Sequence, residues 1–416
     1  MNTPAINLSR YLPPGAGIWW GQAAAEPEPL VHALLDQIGD LGPRRAFCGL
    51  SWDRRLTREL PEELSLVSYG GLGELRVLSR ARRLDVIPCH YSALPRMFAE
   101  GLLPTDVGFV QVSPPDADGT CSLGIGVDYA ADAVEHTGIL IAEINRQMPD
   151  TVGAARIPLS RFAAVVETDR PLPEMPEREP DHVEAAIAAR VAALIEDGDT
   201  IQLGVGALPS AVLEGLAGHA NLGVHTGMIP DGILRLIDKG VVTGARKEVD
   251  PGLVVTGAAL GTRDLYARVA SYPVSFRPAS YTHAPQVLSR FRSLVSINSA
   301  IEVDLTGQVG AEIRRGAYVG AVGGQVDFSS AALQTGARSI FAMRSTSYGQ
   351  STISPRLHSG VITTARSDVD IVVTEHGVAH LRGRTLRERA DALIAIANPA
   401  FHDDLRRSLV EEDLIG

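Results

Sequence analysis

Two short stretches of the chain combine glycines with neighbours that could do chemistry, and they lie close together in the sequence. Residues 202–213 have the pattern of a buried strand, a glycine turn and a helix that begins at Leu208-Pro209. Proline is tolerated there because its missing N–H would have no partner in a first helical turn. Residues 222–232 have the pattern of a second short strand, broken at Gly227, and a Pro-Asp-Gly turn. Two strand-loop-helix segments side by side predict a site.

The first stretch could hold a ligand at its backbone amides, and the second offers a titratable group. Glycines at 204 and 206 would let backbone amides approach a ligand at the positive end of a helix dipole. His225 precedes Gly227 by two residues and faces the same side of a regular strand. Its imidazole is a candidate general base near neutral pH, and a hydrogen-bonded structural histidine is the alternative.

Length and composition limit the class of protein. A chain of 416 residues is expected to form about two domains of roughly 200 residues each. Hydrophobic residues make up 45% and charged residues 21%, which is typical of a soluble globular protein. The first residues lack the basic and apolar regions of a secretory signal, so a cytoplasmic location is expected.

Charge and hydropathy argue against two kinds of partner. A net charge of −11 is unfavourable for binding nucleic acid, which needs a concentrated basic face. The arginine pairs at 44–45, 82–83 and 314–315 are short and far apart, and we interpret them as solvated surface. No apolar run has the length that a membrane-spanning helix needs. We therefore expect neither a nucleic-acid nor a membrane partner.

The cysteines give no sign of a crosslink or a metal. Cys48, Cys89 and Cys121 are odd in number, widely spaced and without a C-x-x-C pair. This pattern indicates neither a disulfide framework nor a zinc site. We expect small buried residues at these positions and no bound metal.

The order of apolar segments predicts an α/β fold in two parts. In the first part, buried strands such as 107–112 and 139–144 alternate with helices, which favours a mostly parallel sheet covered on both faces. Residues 169–181 carry four prolines and many charges, as a semi-rigid linker would. We predict an N-terminal domain over 1–168, a linker over 169–181 and a C-terminal domain over 182–416.

The C-terminal part shows the same alternation. A helix over 182–196 precedes the glycine-turn strand, and 294–298 with 301–305 is expected to form a β pair that turns at 306–308. Both halves are therefore predicted to be open α/β sheets, facing each other across a cleft.

Six motifs, taken together, resemble the acetyl-CoA hydrolase/transferase family and, within it, the 4-hydroxybutyrate CoA-transferase branch. They are Ser113-Pro-Pro-Asp116, Ala142-Glu-Ile-Asn145, Gly204-Val-Gly-Ala-Leu-Pro209, His225-Thr-Gly-Met228 with Asp231-Gly232, Gly323-Gly-Gln-Val-Asp-Phe328 and Val373-Thr-Glu-His-Gly377. The likeness runs in order from about Ala23 to the C-terminus. It implies two CoA-transferase-like α/β domains, a homodimer, and coenzyme A as a co-substrate bound as an acyl-CoA in the cleft.

The resemblance also indicates which residues contact CoA and which position holds the family's nucleophile. The turn of Gly204, Val205, Gly206, Ala207 and Leu208 matches the family's CoA-binding turn, and Ile301, Gly323 and Gly324 match further CoA contacts. In the family a glutamate attacks the thioester and then carries CoA, which splits one difficult displacement into easier steps. The position of that glutamate is occupied here by Gly227. Because glycine has no side chain, the family's two-step transfer through a glutamyl thioester cannot take place at this position.

The missing nucleophile leaves several hypotheses open. A carboxylate in a nearby motif could replace it, with Glu143, Asp231, Glu302, Asp327 and Glu375 as the candidates, although such residues also cap helices and hold loops. Alternatively, water or a nucleophile within the substrate takes the acyl group, giving hydrolysis or cyclisation. A third possibility is a catalytically silent protein that binds CoA esters.

Overall fold

The computed structural model describes residues 6–153 and 155–411, and these fall into two compact units. The first unit contains the chain up to Pro176 together with Val255–Ala284 and Ala317–Ala321. The second contains Glu177–Val254, Pro285–Gly316 and the chain from Val322 onward. The chain therefore returns twice to the first unit after the segment predicted as a linker.

The elements up to residue 168 alternate as the apolar pattern indicates. The strands are β1 (Ile18–Trp20), β2 (Arg44–Phe47), β3 (Leu64–Ser68), β4 (Leu84–Val86), β5 (Val107–Val112), β6 (Thr120–Ser122), β7 (Ile139–Asn145), β8 (Arg156–Pro158) and β9 (Phe162–Thr168). The helices are α1 (Glu28–Leu41), α2 (Arg54–Arg58), α3 (Leu75–Arg80), α4 (Leu94–Ala99) and α5 (Asp128–Glu135).

The first unit is built on a seven-stranded sheet, counted over the described residues, in the order β4-β3-β2-β1-β5-β7-β9. Its neighbouring strands pair in parallel, which confirms the predicted parallel sheet. Helix α1 packs on it because Leu30, Leu34 and Ile38 recur on one helical face and are buried. Burying such a side chain contributes about 1.5–3 kcal/mol. The helix ends where Gly42 adopts a φ of +75°.

The elements after residue 181 begin with helix α6. The helices are α6 (His182–Ala192), α7 (Ala207–Gly215), α8 (Asp231–Asp238), α9 (Arg263–Arg268), α10 (Ala279–Thr282), α11 (Pro285–Leu288), α12 (Gln325–Gln334), α13 (Leu386–Ile396) and α14 (His402–Glu411). The strands are β10 (Thr200–Leu203), β11 (Gly223–Val224), β12 (Met228–Ile229), β13 (Val254–Thr256), β14 (Ala258–Ala259), β15 (Val274–Phe276), β16 (Leu294–Ser299), β17 (Glu302–Asp304), β18 (Val309–Gly310), β19 (Ile313–Arg314), β20 (Ala317–Tyr318), β21 (Arg338–Ala342), β22 (Thr346–Ser347), β23 (Gln350–Ser351), β24 (Ile353–Ser354), β25 (Ile371–Thr374) and β26 (Gly377–His380).

The second unit is also an open α/β sheet, with six strands in its described part in the order β11-β10-β16-β21-β25-β26. All of its pairings are parallel except the edge pair β25–β26. The predicted pairing of 294–298 with 301–305 is wrong. Strand β16 lies inside this sheet, whereas β17 pairs with β18 and β24 in a separate three-stranded sheet. Both runs are apolar, and apolar alternation alone does not reveal a strand's partner.

The proline-rich segment has no regular secondary structure between 169 and 180, yet both of its ends are anchored. In the first unit, Glu174 accepts a hydrogen bond from the amide of Arg263, 2.8 Å away. In the second, Glu177 pairs with Arg235 at 2.6 Å. Asp181 then caps α6 in a reciprocal capping box with Glu184. Each end of the segment is therefore held within its own unit, by a hydrogen bond at Glu174 and by an ion pair and a cap at Glu177 and Asp181.

None of the helices in the described ranges combines the length and apolar character that a membrane span requires.

Candidate active site

The glycine turn lies between β10 and α7 in the second unit. Strand β10 ends at Leu203, and α7 begins at Ala207, with Pro209 in its first turn. Gly206 has φ +120° and ψ −177°, a conformation that is essentially restricted to glycine. It is the N-cap residue of α7, and no side chain caps the helix there. The sequence therefore builds a helix start whose dipole and amides are open to a ligand.

Open space lies next to this turn. A Cβ added at Gly204 or at Gly206 would meet no heavy atom within 4 Å. A cavity of about 170 Å³ adjoins the turn, and its lining in this unit is Gly204, Val205, Leu208, Pro209, Val212, Ile297, Asn298, Ser299 and Ala342. None of these described lining residues is acidic. The lining is thus mostly apolar, with Asn298 and Ser299 as its polar side chains.

The segment around Gly227 is held beside the turn. Strand β11 pairs in parallel with β10, and the amide of His225 continues the ladder by donating to the carbonyl of Ile201 at 3.1 Å. The hydroxyl of Thr226 donates to the carbonyl of Leu203 at 2.8 Å. Gly227, which is half-buried, therefore follows a residue tied to the last position of β10. The two stretches singled out in the sequence do lie side by side.

His225 lies in the core of the second unit. Its side chain is fully buried, and its ring centroid is 4.9 Å from that of Phe291 and 6.5 Å from that of Phe328. Aromatic packing of this kind favours a structural role over proton transfer to a substrate. Its assignment as a general base stays a prediction.

A buried lysine supports the same strand, and the sequence reasoning missed it. Lys247 is 5% exposed, and its ammonium donates to the carbonyls of Val224 at 3.0 Å and Leu253 at 2.6 Å. Burial lowers the pKa of this lysine to about 8. A Cβ at Gly223 would lie 2.3 Å from the Lys247 Cγ, so only glycine fits there. Lys247 is 23 positions from Val224 in the chain, so sequence spacing gave no signal of this contact.

Glu143, a proposed catalytic residue, is buried in the first unit. Its carboxylate is 0% exposed and accepts two hydrogen bonds from the guanidinium of Arg170, at 2.7 and 2.9 Å. The Thr168 hydroxyl donates a third at 2.6 Å. A bidentate pair of this kind is strong and oriented. Glu143 is therefore occupied in holding β7 to the end of β9.

Two of the other candidate carboxylates are also occupied by hydrogen bonds. Glu302 accepts from the amides of His358 and Ser359 at 2.8 and 3.0 Å. Glu375 accepts from the amide and hydroxyl of Ser345 at 2.9 and 2.6 Å. Although burial opposes the change, these bonds hold the pKa of Glu375 below its usual value.

The remaining two carboxylates open helices. Asp231 begins α8, and Asp327 lies in the first turn of α12. A negative charge in a first turn is stabilised by the helix dipole. Their positions therefore have a structural explanation that does not involve catalysis.

The other residues assigned to CoA lie in different places of the second unit. Ile301, between β16 and β17 in the chain, lines a second cavity of about 300 Å³ with residues of β17, β19, β22 and β23. Gly323 has φ +54°, and Gly324 is the N-cap residue of α12. The five residues of the 204–208 turn are contiguous, whereas the structure places Ile301 in a cavity of its own.

Comparison with known proteins identifies the family. Residues 72–176 match the acetyl-CoA hydrolase/transferase N-terminal domain, and residues 261–409 match the acetyl-CoA hydrolase/transferase C-terminal domain. The chain is 44% identical to 4-hydroxybutyrate coenzyme A transferase of Clostridium kluyveri over 328 residues, which cover 78% of this chain and 76% of that protein.

Comparison with solved structures gives the same family. RipA from Yersinia pestis has a TM-score of 0.89 at 33% identity, with 97% of this chain and 95% of that chain covered. A 4-hydroxybutyrate CoA-transferase from Porphyromonas gingivalis has a TM-score of 0.81 at 35% identity, with 97% and 96% covered. These matches confirm the predicted α/β fold class and the family resemblance. The chain belongs to the acetyl-CoA hydrolase/transferase family.

Proposed function

We propose that this chain is an enzyme that acts on an acyl-CoA or a related thioester without forming a glutamyl-CoA intermediate. The observation that carries the proposal is the glycine at 227, which follows a residue bonded to the end of β10 beside the glycine turn. By the resemblance of the His225-Thr-Gly-Met228 motif, this is the position of the family's nucleophilic glutamate. A glycine has no side chain with which to attack a thioester carbonyl.

The turn at 204–208 supports cleavage of a thioester by a nucleophile that does not belong to the enzyme. The uncapped start of α7 offers amide N–H groups and the positive end of a helix dipole. Such donors stabilise the oxyanion that forms when a nucleophile adds to the carbonyl carbon. If water adds, the C–S bond breaks to give a carboxylic acid and the CoA thiol. If a hydroxyl or amine within the acyl group adds, the same bond breaks and a ring closes.

The occupied carboxylates argue against a conventional transferase that uses a substitute nucleophile. Glu143 is bound by Arg170, Glu302 by two backbone amides, and Glu375 by Ser345. Attack would require each to give up these bonds, and leaving a buried charge unpaired is costly. This argument does not apply to Asp231 and Asp327. If either acted as the substitute nucleophile, an enzyme thioester would form, whereas direct acyl transfer to water or to a group in the substrate forms none.

The resemblance also suggests an assembly and a location. We propose a cytoplasmic homodimer that takes CoA as a dissociable co-substrate, with no tightly bound cofactor. Sedimentation velocity of the purified protein tests the dimer, and a single species with the mass of one chain would refute it.

A panel of acyl-CoAs, with and without acetate, tests the reaction. We expect thiol release that does not depend on acetate, or a CoA-free cyclic product when the acyl chain carries a hydroxyl or amine. Exchange of CoA into acetate, with a borohydride-sensitive enzyme thioester, would show that a substitute carboxylate operates. Binding of acyl-CoAs without turnover across the panel would favour a silent protein.

Restoring the carboxylate sharpens this test. Gly227→Glu should create acetate-dependent CoA transfer and a borohydride-sensitive thioester, because it returns a nucleophile to the place beside the turn. Gly218→Glu is the matched control, since Gly218 is exposed in the same unit and an added Cβ there meets nothing within 4 Å. If a folded Gly227→Glu protein binds CoA and gains no transfer, the proposed position of the nucleophile is wrong.

A further inference from the structure

Lysine is rare in this chain, and one of its lysines is buried. Lys239 and Lys247 are the two lysines among its 38 lysine and arginine residues. Lys239 is exposed, whereas Lys247 is 5% exposed. An ammonium is a compact group with three rotatable donors, whereas a guanidinium is a wide planar fork. In a chain that otherwise uses arginine, the buried lysine therefore indicates a place that needs a compact donor.

The ammonium of Lys247 bonds to the outer side of β11, the strand that precedes Gly227. In its described part the six-stranded sheet ends at β11, which is two residues long. The amides of Gly223 and His225 donate towards β10, at 2.8 and 3.1 Å. The backbone groups of the residue between them therefore face the opposite side, where the Val224 carbonyl accepts from Lys247 at 3.0 Å. The lysine thus takes the place that a further strand would have.

The path of this side chain depends on a glycine. The stem of Lys247 crosses the strand at Gly223, where an added Cβ would lie 2.3 Å from the lysine Cγ and 2.9 Å from its Cδ. Beyond the strand, the ammonium also donates to the carbonyl of Leu253 at 2.6 Å. The side chain therefore ties the end of β11 to a second backbone segment of the same unit.

Lys247 keeps its charge at neutral pH. Burial lowers its pKa to about 8, although the charges of Asp250 and Glu248 oppose that change. Below this pH the group is an ammonium, and hydrogen bonds from an ionised donor are roughly twice as strong as neutral ones. Both carbonyls are therefore held by charge-assisted bonds.

The strand held by Lys247 continues directly into the segment around Gly227. The Thr226 hydroxyl bonds to the carbonyl of Leu203 at 2.8 Å on the inner side, and Lys247 holds the residue before His225 on the outer side. The backbone at 225–227 is thus gripped from both sides. A misplacement of about 1 Å at a reacting centre lowers a rate by about 100-fold, so the position of this backbone matters for turnover.

We propose that Lys247 is a positioning residue for the reaction. It fixes the backbone of 225–227 beside the glycine turn, and so sets the place from which the attacking group reaches the thioester carbonyl. Lys247 acts through the Val224 carbonyl and not through contact with the substrate. This inference deepens the proposed function and rests on it.

Replacing the lysine by methionine tests this role. Lys247→Met keeps the length of the side chain and removes every donor. We expect kcat for thiol release from an acyl-CoA to fall by about 10-fold or more, because the reacting groups are misplaced. The dissociation constant of the acyl-CoA should stay at the parent's value, since the turn at 204–208 is unchanged. Lys239→Met, at the exposed lysine of the same unit, is the matched control and should keep both constants.

Two further variants separate positioning from folding. Gly223→Ala keeps the lysine but pushes its stem aside, so kcat should fall here too. Lys247→Ala should regain turnover when propylammonium is added, because this cation replaces the missing methylenes and N–H donors. Tetramethylammonium has no N–H and should restore nothing. A folded Lys247→Ala protein that propylammonium does not rescue would contradict the role of the ammonium.

Hydrogen–deuterium exchange of the whole protein reports on the backbone without turnover. In Lys247→Met the amides of 225–228 should exchange faster, while those of β16 keep the parent's rates. Faster exchange throughout the second unit would show that the lysine stabilises the unit as a whole, and would overturn the proposal. A folded Lys247→Met protein with the parent's kcat would overturn it as well.

These measurements separate the lysine from the chemistry. A parent protein that cleaves no acyl-CoA, with faster exchange in Lys247→Met over 225–228 alone, would refute the proposed reaction and leave Lys247 as the residue that fixes this segment. A parent protein that cleaves acyl-CoA, with exchange over 225–228 unchanged in Lys247→Met, would refute only the role of the lysine.

Discussion

The ends of the sheet strands carry different chemistry in the two units. In the first unit, Gln22 follows β1, and all four of its amide hydrogen-bonding positions are used. Its nitrogen donates to Tyr91 and Asp128, both at 2.8 Å, and its oxygen accepts from Tyr69 and Leu50 at 2.8 and 2.9 Å. In the second unit, β10 and β11 lead into Gly204, Gly206 and Gly227, which have no side chains.

The two units differ in whether their polar groups are used by the fold or left available to a ligand. Buried carboxylates of the first unit accept hydrogen bonds from neighbouring side chains, Glu143 from Arg170 and Glu26 from Trp20 and Ser51. Such networks stabilise a unique core when every member is satisfied. In the second unit the uncapped start of α7 and the space beside it are what a ligand can use. Buried acids whose hydrogen bonds are already made therefore offer a ligand less than the open glycine turn does.

Breaking the Glu143–Arg170 pair should have the largest effect. Glu143→Ala leaves the Arg170 guanidinium, whose side chain is 18% exposed, without its main partner and should destabilise the fold by about 3–5 kcal/mol. Urea-induced unfolding measures this. The control is Glu100→Ala in the exposed Arg96–Glu100 pair, where solvent screening should make the loss of stability much smaller. Equal losses at the two sites would contradict the structural role of Glu143.

Glu26 should make stability depend on pH. Burial raises its pKa to about 8 from a usual value of 4.5, so between these values the folded state holds a proton that the unfolded state has released. Its contribution is full below pH 4.5 and is lost as pH rises towards 8. Between pH 6 and 8 the parent should lose about 2 kcal/mol that Glu26→Gln does not, since each pH unit contributes up to ~1.4 kcal/mol.

Denaturant midpoints at several pH values test the Glu26 prediction. The exposed Glu135→Gln is the control and should keep the parent's pH dependence. A Glu26→Gln protein whose stability falls as steeply as the parent's would show that Glu26 is ionised in the folded state.

The two glycines of the turn should respond differently to alanine. Gly206→Ala places a side chain at φ +120° and should cost about 1–3 kcal/mol. Gly204→Ala meets open space at an ordinary φ, so its stability should change by less than about 0.5 kcal/mol while its affinity for acyl-CoA falls. Thermal unfolding and acyl-CoA titration measure the two effects. Unchanged affinity in Gly204→Ala would mean that the turn does not face the ligand.

The sequence by itself predicted much of the framework. Strand β5 has the bounds its apolar run indicated, and β7 and the strand before the glycine turn are where periodicity placed them. Continuous apolar strands between helices are enough to indicate a parallel sheet, because both faces must be covered. The motifs around residues 204 and 227 also located the two stretches that the structure brings together.

Partners and burial were decided only by the tertiary structure. Nothing local showed that Arg170 would neutralise Glu143, that His225 would be enclosed by Phe291 and Phe328, or that Lys247 would support β11. These contacts join residues from 23 to 103 positions apart, so spacing along the chain carries no signal of them. A residue's type states which chemistry is possible, and its partners in the fold decide whether that chemistry is free for a substrate.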